Sequence, residues 1–221
     1  MFDTNKTYGG KLEIPEHNFT NARMFDTNKT YGGKLEIPEP NFTNAIEIKF
    51  KRTNKDVPFP SYKLNGDSGF DFVASETVIV EPGETIVIPT GIALNLYNGM
   101  EVQIRPRSGI SSKTKIRVTL GTGDSNYRGE LCVIVDNIAH PRYRFDSQTS
   151  SLIEESSNKV MNLKGEYEEI DKEVPVGSVI IHKGERIAQG VLCFVIKGIF
   201  VEVDELSETN RGTDGFGSTG V

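Results

Sequence analysis

Short runs of alternating apolar and polar residues, separated by turn pairs such as Asn98-Gly99, extend from Ile46 almost to the end of the chain. Side chains of a strand alternate between the two faces of a sheet, so this period of two predicts half-buried strands. The predicted strands are Ile46–Phe50, Phe70–Ala74, Thr77–Val80, Thr85–Pro89, Ile92–Leu96, Glu101–Arg105, Leu131–Val135, Val179–Ile181, Ile187–Ile196 and Phe200–Val203. Because no long helical period competes with them, we expect an all-β sandwich or barrel of jelly-roll type.

The N-terminal part of the chain is duplicated. Residues 1–23 recur as residues 24–46, with changes only at His17/Pro40 and Arg23/Ile46. Repeat architectures need about three or more units to bury a core, so two near-identical copies indicate a recent duplication. Each copy is polar, and we expect residues 1–45 to be poorly ordered. The predicted β domain is then 46–204, followed by a flexible arm at 205–221.

Between His140 and Pro175 the strand pattern loosens. Phe145–Lys159 is rich in Ser and Glu, and Lys159–Val174 alternates weakly around Lys164-Gly165. We interpret residues 141–175 as a surface insert that includes a protruding hairpin.

Composition excludes several classes of function. The formal net charge of -6 argues against non-specific binding to nucleic acid, which depends on neutralising phosphates. No run of eighteen apolar residues and no signal peptide pattern occurs, so we expect no membrane span and a cytoplasmic protein, in a host cytoplasm if the chain is viral. Cys132 and Cys193 lie in apolar runs without CxxC spacing, which predicts buried free thiols.

The stretch Gln103–Arg117 is basic in an otherwise acidic chain. Its alternation places cations on one predicted face, and Ser108-Gly109 is typical of a turn. The five cations are Arg105, Arg107, Lys113, Lys115 and Arg117. A cationic pocket of this kind favours a compact anion such as a triphosphate. The alternative is an edge strand that carries protective charges.

Two further stretches suit nucleotide chemistry. Gly121–Glu130 places Asp124 and Tyr127 among turn residues, and the glycine-rich tail Arg211–Gly220 holds a single aromatic, Phe216. A carboxylate can take a proton from water, cations can hold phosphates, and an aromatic ring can cover a base. Alone, the first stretch is more typical of a plain turn and the second of a disordered tail. Together they favour nucleotide hydrolysis, without the GxxxxGK[ST] pattern of a P-loop.

In this combination the chain resembles the trimeric-type dUTPases, or dUTP diphosphatases. The five motifs of that family occur in order, as Ser68–Phe72, Arg105–Ile110, Gly121–Glu130, Gly184–Gln189 and Arg211–Gly220. The resemblance covers residues 46–221 except the insert, which is similar in length to that of some phage members. It implies a distorted jelly roll (β-clip) and a homotrimer that exchanges C-terminal arms. It also implies hydrolysis of dUTP to dUMP and pyrophosphate, which keeps uracil out of DNA and supplies dUMP for dTMP synthesis.

The resemblance also implies roles for individual residues. Asp124 would be the general base for a water that attacks the α-phosphorus, and Tyr127 would pack on the deoxyribose. Phe216 would stack on uracil, and Asp71 would order the water shell of a Mg²⁺ ion that the triphosphate itself holds. The backbone of Gly121, Thr122 and Gly123 would contact the uracil edge. The residues implied to bind the phosphates or to close over them are Arg107, Ser108, Gly109, Gln189, Arg211, Gly217, Ser218 and Thr219.

One departure from the family and two alternatives affect these expectations. Gly123 stands where members usually carry Ile or Val, which predicts a looser hairpin around Asp124. A dCTP deaminase would need a glutamate in the strand after this hairpin, where this chain has Ile134. Such a deaminase also lacks the glycine-rich tail that this chain carries. A regulatory module that binds nucleotide and switches a protein partner through the insert is the other alternative. The expected partners are therefore dUTP, further copies of the chain and a regulatory protein.

Overall fold

The computed structural model describes residues 45–213, which form fourteen strands and one short helix. Residues 1–44, which make up all of the duplicated segment except Ala45 and Ile46, and residues 214–221 lie outside the described residues. The all-β prediction is confirmed. The strands are β1 Lys49–Arg52, β2 Phe70–Val73, β3 Val78–Val80, β4 Thr85–Asn95, β5 Met100–Pro106, β6 Ile116–Val118, β7 Gly121–Asp124, β8 Leu131–Asn137, β9 Tyr143–Asp146, β10 Ser151–Glu154, β11 Ser156–Met161, β12 Tyr167–Pro175, β13 Val179–Ile181 and β14 Arg186–Phe194, and helix α1 is Ser108–Lys113.

Three four-stranded sheets surround a common core. Their strand orders are β1-β4-β8-β6, β2-β14-β5-β7 and β12-β11-β13-β3, and β9 and β10 form a separate two-stranded ribbon. Each large sheet contributes fully buried side chains to one cluster, as Ile88, Phe72 and Val179 show. Burying one such side chain stabilises the fold by about 1.5–3 kcal/mol. The core therefore fixes the sheet that carries the candidate site.

Several strand predictions differ from the structure, among them Ile46–Phe50, where the strand is Lys49–Arg52. The predicted strands Thr85–Pro89 and Ile92–Leu96 form the single strand β4, whose register against β8 shifts between Pro89 and Ile92. A bulge of this kind accommodates a proline, which cannot donate to the ladder. The predicted strand Phe200–Val203 is wrong, because residues 195–213 form no strand. Phe200 is 98% exposed, and no described strand lies beside it to complete a ladder.

The insert is only partly a surface feature. The ribbon β9–β10 fits that prediction, since Tyr143, Phe145 and Leu152 are all exposed. The hairpin predicted around Lys164-Gly165 is β11–β12, but it is not only a surface protrusion, because β11 also pairs in parallel with β13. Val160 and Val174 are buried in a small cluster with Ile180. The weak alternation in this stretch therefore reflects half-buried strands.

Both cysteines are free, as predicted, but neither is buried. Cys132 and Cys193 are of intermediate exposure. On β8, Leu131 and Val133 point into the core, so the alternation of the strand places Cys132 on the opposite face. No helix within residues 45–213 is long and apolar enough to cross a membrane.

Candidate active site

A cleft of about 640 Å³ lies beside the pairing of β2, β14 and β5. The predicted residues Asp71, Arg107, Ser108, Gly109 and Gln189 all line it. The remaining lining residues are Lys63, Asp67, Ser68, Gly69, Ile110, Lys113, Leu163, Lys164, Gly184, Glu185 and Arg186. Five of the sixteen are cationic and three are acidic, so the cleft carries net positive charge and suits a polyanion.

Asp71 fixes two arginines at this cleft. Its Oδ1 lies 3.1 Å from Nε of Arg107, and its Oδ2 lies 3.1 Å from Nη1 of Arg186. Nη1 of Arg107 also donates to the backbone oxygen of Arg186 at 3.0 Å. One carboxylate thus orients two guanidinium groups and neutralises only one of their charges. The excess charge and the unused N–H groups are available to phosphate oxygens.

Gln189 is held in register by both neighbouring strands. It pairs with Asp71 on β2 and with Arg105 on β5. One N–H of its Nε2 donates to the backbone oxygen of Pro106 at 3.0 Å. The second N–H of the same amide remains for a ligand, and the phosphate contact of Gln189 stays a prediction.

The predicted turn at Ser108-Gly109 is wrong, because these residues open helix α1. The backbone N–H groups of Ile110 and Ser111 donate to the oxygen of Arg107, and that of Thr114 donates to the oxygen of Ile110. A Cβ at Gly109 would meet no atom within 4 Å. The chain therefore leaves open space beside Gly109 on the cleft.

The five cations of the basic stretch do not form one pocket. Arg107 and Lys113 line the cleft, whereas Arg105 donates to Oε1 of Gln103 at 2.6 Å. Arg117 donates to backbone oxygens of its own strand region at 2.7 and 3.0 Å. The physical reason is α1, which changes the side-chain period from two to 3.6 and breaks the alternation between Arg107 and Lys115.

Sequence reasoning missed several cleft residues as site residues. Arg186 follows Gly184 and Glu185 in a stretch that the resemblance had already singled out. Lys63 lies in a loop without a motif, and Lys164 lies in the hairpin that the sequence indicated, but no sequence signal linked either lysine to the cleft.

Asp124 lies in a second cleft. It ends β7, which pairs with β5 so that Asp124 faces Glu101. This cleft of about 290 Å³ is lined by Asn98, Gly99, Met100, Glu101, Asp124, Ser125, Asn126, Val195 and Lys197. The backbone N–H of Tyr127 donates to the oxygen of Asp124 at 3.1 Å and closes the turn that follows.

Tyr127 is held by the end of the same hairpin. Its hydroxyl donates to the backbone oxygen of Glu130 at 3.1 Å, and the ring remains half exposed. A Cβ at Gly129 would lie 2.3 Å from that hydroxyl, so only glycine allows the ring this position. The carboxylate of Glu130 accepts the N–H of Gly91 at 2.6 Å and ties the hairpin to the bulge of β4.

The thiol of Cys132 lies close enough to the Glu130 carboxylate to be affected by its charge. Burial raises the pKa of the Cys132 thiol, and the carboxylate of Glu130 raises it further. The thiol is therefore kept in its protonated, less reactive form.

The hairpin is not loosened by Gly123. Gly123 is buried, and a Cβ there would lie 2.6 Å from Cγ1 of Val102 and 3.0 Å from Cδ2 of Leu131. These two core side chains occupy the space that a larger residue at position 123 would need. The prediction of a looser hairpin is therefore wrong for the packing of β7.

The predicted site residues are split between the two clefts. Asp124 faces Glu101 near the start of β5, whereas Arg107 directly follows its end at Pro106. Six residues of extended chain separate these positions by about 20 Å. Arg211 is exposed and lines neither cleft. The predicted tail residues Phe216, Gly217, Ser218 and Thr219 lie outside the described residues.

Comparison of the sequence with known proteins identifies relatives of this chain. The dUTPase family model matches residues 55–144. Deoxyuridine 5'-triphosphate nucleotidohydrolase of Nautilia profundicola is 38% identical over 177 residues, which cover 79% of this chain and 99% of that relative. The enzyme of the same name from Hydrogenobaculum sp. is 37% identical over 179 residues, covering 80% of this chain and 99% of that relative.

Solved structures of phage proteins are similar as well. The dUTPase of Staphylococcus bacteriophage 80alpha with dUpNHpp superimposes with a TM-score of 0.70 at 30% identity, covering 80% of this chain and all of that one. A dUTPase mutant from phage phi11 of S. aureus, which shows a structural Mg(II) ion, has a TM-score of 0.65 at 26% identity and covers 74% of this chain and all of that one. These similarities confirm the predicted jelly-roll fold.

Proposed function

Because the chain belongs to the dUTPase family, we propose that it hydrolyses dUTP to dUMP and pyrophosphate. The reaction would keep uracil out of DNA and supply dUMP for dTMP synthesis, with the cytoplasm as the expected location. The observation that carries the proposal is the cleft in which Asp71 orients Arg107 and Arg186 beside Gln189. These residues belong to the motif stretches of the family, which supports a polyphosphate site in this cleft.

In the proposed reaction, Asp124 accepts a proton from a water molecule. The water oxygen bonds to the α-phosphorus, the bond from that phosphorus to the α–β bridging oxygen breaks, and pyrophosphate leaves. Arg107, Ser108 and Gln189 hold the phosphates. The ring of Tyr127 packs on the deoxyribose and excludes a ribose 2′-hydroxyl. The β7 backbone pairs with the uracil edge, so cytosine leaves polar groups wrongly paired.

The active unit is proposed to be a homotrimer with exchanged C-terminal arms. A separation of about 20 Å along β5 prevents Asp124 and Arg107 of one chain from acting on the same α-phosphate group. A second copy of the chain can place its Asp124 beside this phosphate cleft. The segment after β14 supports arm exchange, since Ile196, Ile199 and Phe200 are each more than 90% exposed and such apolar runs are normally covered by a partner.

Mg²⁺ fits this site as an ion carried by the substrate. No group of three or more His, Cys, Asp or Glu side chains that could hold a metal occurs within residues 45–213. Each oxygen of Asp71 accepts from one arginine and keeps a second lone pair, which can accept a hydrogen bond from the water of a hydrated ion. A bound Mg²⁺ would neutralise charge on the triphosphate and polarise it for attack.

A regulatory role for the insert is a second proposal. Tyr143 and Phe145 lie on one face of β9, and Leu152 pairs with Phe145 across the ribbon, so three exposed apolar side chains share a face. The 80alpha dUTPase is described as controlling transfer of virulence genes by a G protein-like mechanism. A photo-crosslinking group at position 152 should capture a regulatory protein in a dUTP-dependent manner, and dUTP-independent or absent capture would contradict this role.

A dCTP deaminase-like reaction is not favoured. Ile134 lies on the outward face of β8 and pairs with Val87, so an acidic side chain is missing at the position that this reaction requires. The decisive test is incubation of the full chain with Mg²⁺ and, separately, dUTP, dCTP, dTTP and UTP. Release of dUMP and pyrophosphate from dUTP alone is expected. Deamination of dCTP, or equal hydrolysis of UTP, would contradict the proposal.

A further inference from the structure

The β11–β12 hairpin of the insert reaches the phosphate cleft. Leu163 and Lys164, at its tip, line the cleft together with Arg107 and Lys113. We propose that Lys164 binds the β- or γ-phosphate of the substrate, so that the insert itself takes part in nucleotide binding. This inference rests on the proposed function.

The hairpin is anchored firmly enough to position a side chain. Met161 pairs with Val179 on β13, and Leu163 is 8% exposed within the main core. Glu168 on β12 lies 2.7 Å from Nε2 of His182, in the turn that precedes Arg186. The hairpin is thus fixed both to the core and to the turn that carries a cleft arginine.

The turn at the hairpin tip has a defined geometry. Oδ1 of Asn162 accepts the N–H groups of Lys164 and Glu166 at 3.0 and 3.1 Å. Gly165 has a φ of 82°, a conformation that favours glycine. A Cβ at Gly165 would lie 3.2 Å from the backbone oxygen of Lys113. The turn therefore packs against the end of α1 and places Lys164 next to Lys113 at the cleft rim.

The positive charges at this rim of the cleft are only partly neutralised, so the rim favours binding of an anion. Arg107 and Arg186 share the carboxylate of Asp71. By contrast, neither Lys113 nor Lys164 forms an ion pair with any residue in the described range 45–213. Two lysines without acidic partners beside two arginines that share one partner match the charge of a triphosphate better than that of a monophosphate.

The test compares Lys164→Ala with Lys164→Arg and with Lys172→Ala. Lys172 is an exposed lysine of the same hairpin that does not line the cleft, so it controls for the loss of one positive charge. Affinities for dUpNHpp and dUMP are measured by calorimetry at low and high NaCl. Lys164→Ala should weaken dUpNHpp binding about five- to twentyfold at low salt and dUMP binding less than about twofold.

Lys164→Arg should retain most of the affinity, and Lys172→Ala should behave as the wild type. The difference between wild type and Lys164→Ala should shrink at high salt, whereas a merely structural defect would persist and lower the melting temperature. Equal dUpNHpp affinities of Lys164→Ala and Lys172→Ala would overturn the inference. A wild-type chain that bound dUpNHpp but released no dUMP from dUTP would contradict the proposed function alone, since the binding comparison would still decide the role of Lys164.

Discussion

Asp124 and Arg107 lie at opposite ends of strand β5 in the same chain. Asp124 faces Glu101, and Arg107 follows Pro106. Under the proposed function, one α-phosphate group cannot meet both residues of one protomer, so we expect each active site to combine two copies. Chains carrying Asp124→Asn should therefore complement chains carrying Arg107→Ala.

The expected activity of such a mixture can be calculated. After random exchange at a one-to-one ratio, about a quarter of the sites would take both intact residues from different chains. Each variant alone should be nearly inactive, and the mixture should recover about a quarter of the wild-type activity per site. Initial rates before and after denaturation and joint refolding measure the recovery. If both residues acted within one chain, the mixture would stay inactive.

The role of Asp124 is tested by Asp124→Asn on its own. The amide cannot accept a proton from water, so kcat should fall by about 10²–10⁴-fold. The affinity for dUpNHpp should change little, because the substitution preserves shape and most hydrogen bonds. Glu101→Gln, opposite Asp124 in the same cleft, is a suitable comparison for a general electrostatic effect. An equal loss of kcat in both variants would contradict a specific role as base.

Asp71 is expected to act through the arginines that it orients. Asp71→Asn loses the charge that holds Nε of Arg107 and Nη1 of Arg186, each at 3.1 Å. The guanidinium groups would then be less ordered, and KM for dUTP should rise about tenfold with a smaller change in kcat. Asp171→Asn, an exposed carboxylate on β12 outside the cleft, is the control. A lower kcat with unchanged KM would contradict this role.

The sequence predicted most of the strands and much of the cleft, for identifiable reasons. Half-buried strands such as β5 show the period of two directly, and the motif residues Asp71, Arg107 and Gln189 meet because β14 pairs with both β2 and β5. The contribution of Arg186 could not be predicted, since it depends on one carboxylate shared with Arg107.

Other errors arose where a local pattern was ambiguous. Helix α1 interrupts the basic stretch and separates cations that would share a face in a continuous strand. The weak alternation of 159–174 gave no sign that β11 would pair with β13, because a parallel pairing depends on distant residues. Lys164 lines the cleft at the tip of the hairpin that this pairing joins to β13.

Gly123 is expected to be required by its neighbours. Gly123→Val would force a side chain onto Val102 and Leu131, at Cβ distances of 2.6 and 3.0 Å. Overpacking of this kind costs about 1–3 kcal/mol, so Tm should fall by about 3–10 °C. Adding Val102→Ala should restore part of the loss. Gly109→Ala meets no atom within 4 Å and should leave Tm nearly unchanged. An unchanged Tm in Gly123→Val would show that β7 can shift freely.

Cys132 should be a slow nucleophile despite its partial exposure. Burial raises the pKa of its thiol, with a further rise from the carboxylate of Glu130. Since only the thiolate reacts, alkylation by iodoacetamide at pH 8 should be several-fold slower than for a free cysteine peptide, and the pH profile of the alkylation rate should lie at higher pH.

Mass spectrometry of a Cys193→Ser variant isolates this site, because the chain has two cysteines. Adding Glu130→Gln removes the charge while keeping an acceptor for Gly91, so the pKa should fall and the reaction should accelerate. A rate equal to that of the peptide, and insensitive to Glu130→Gln, would contradict the raised pKa.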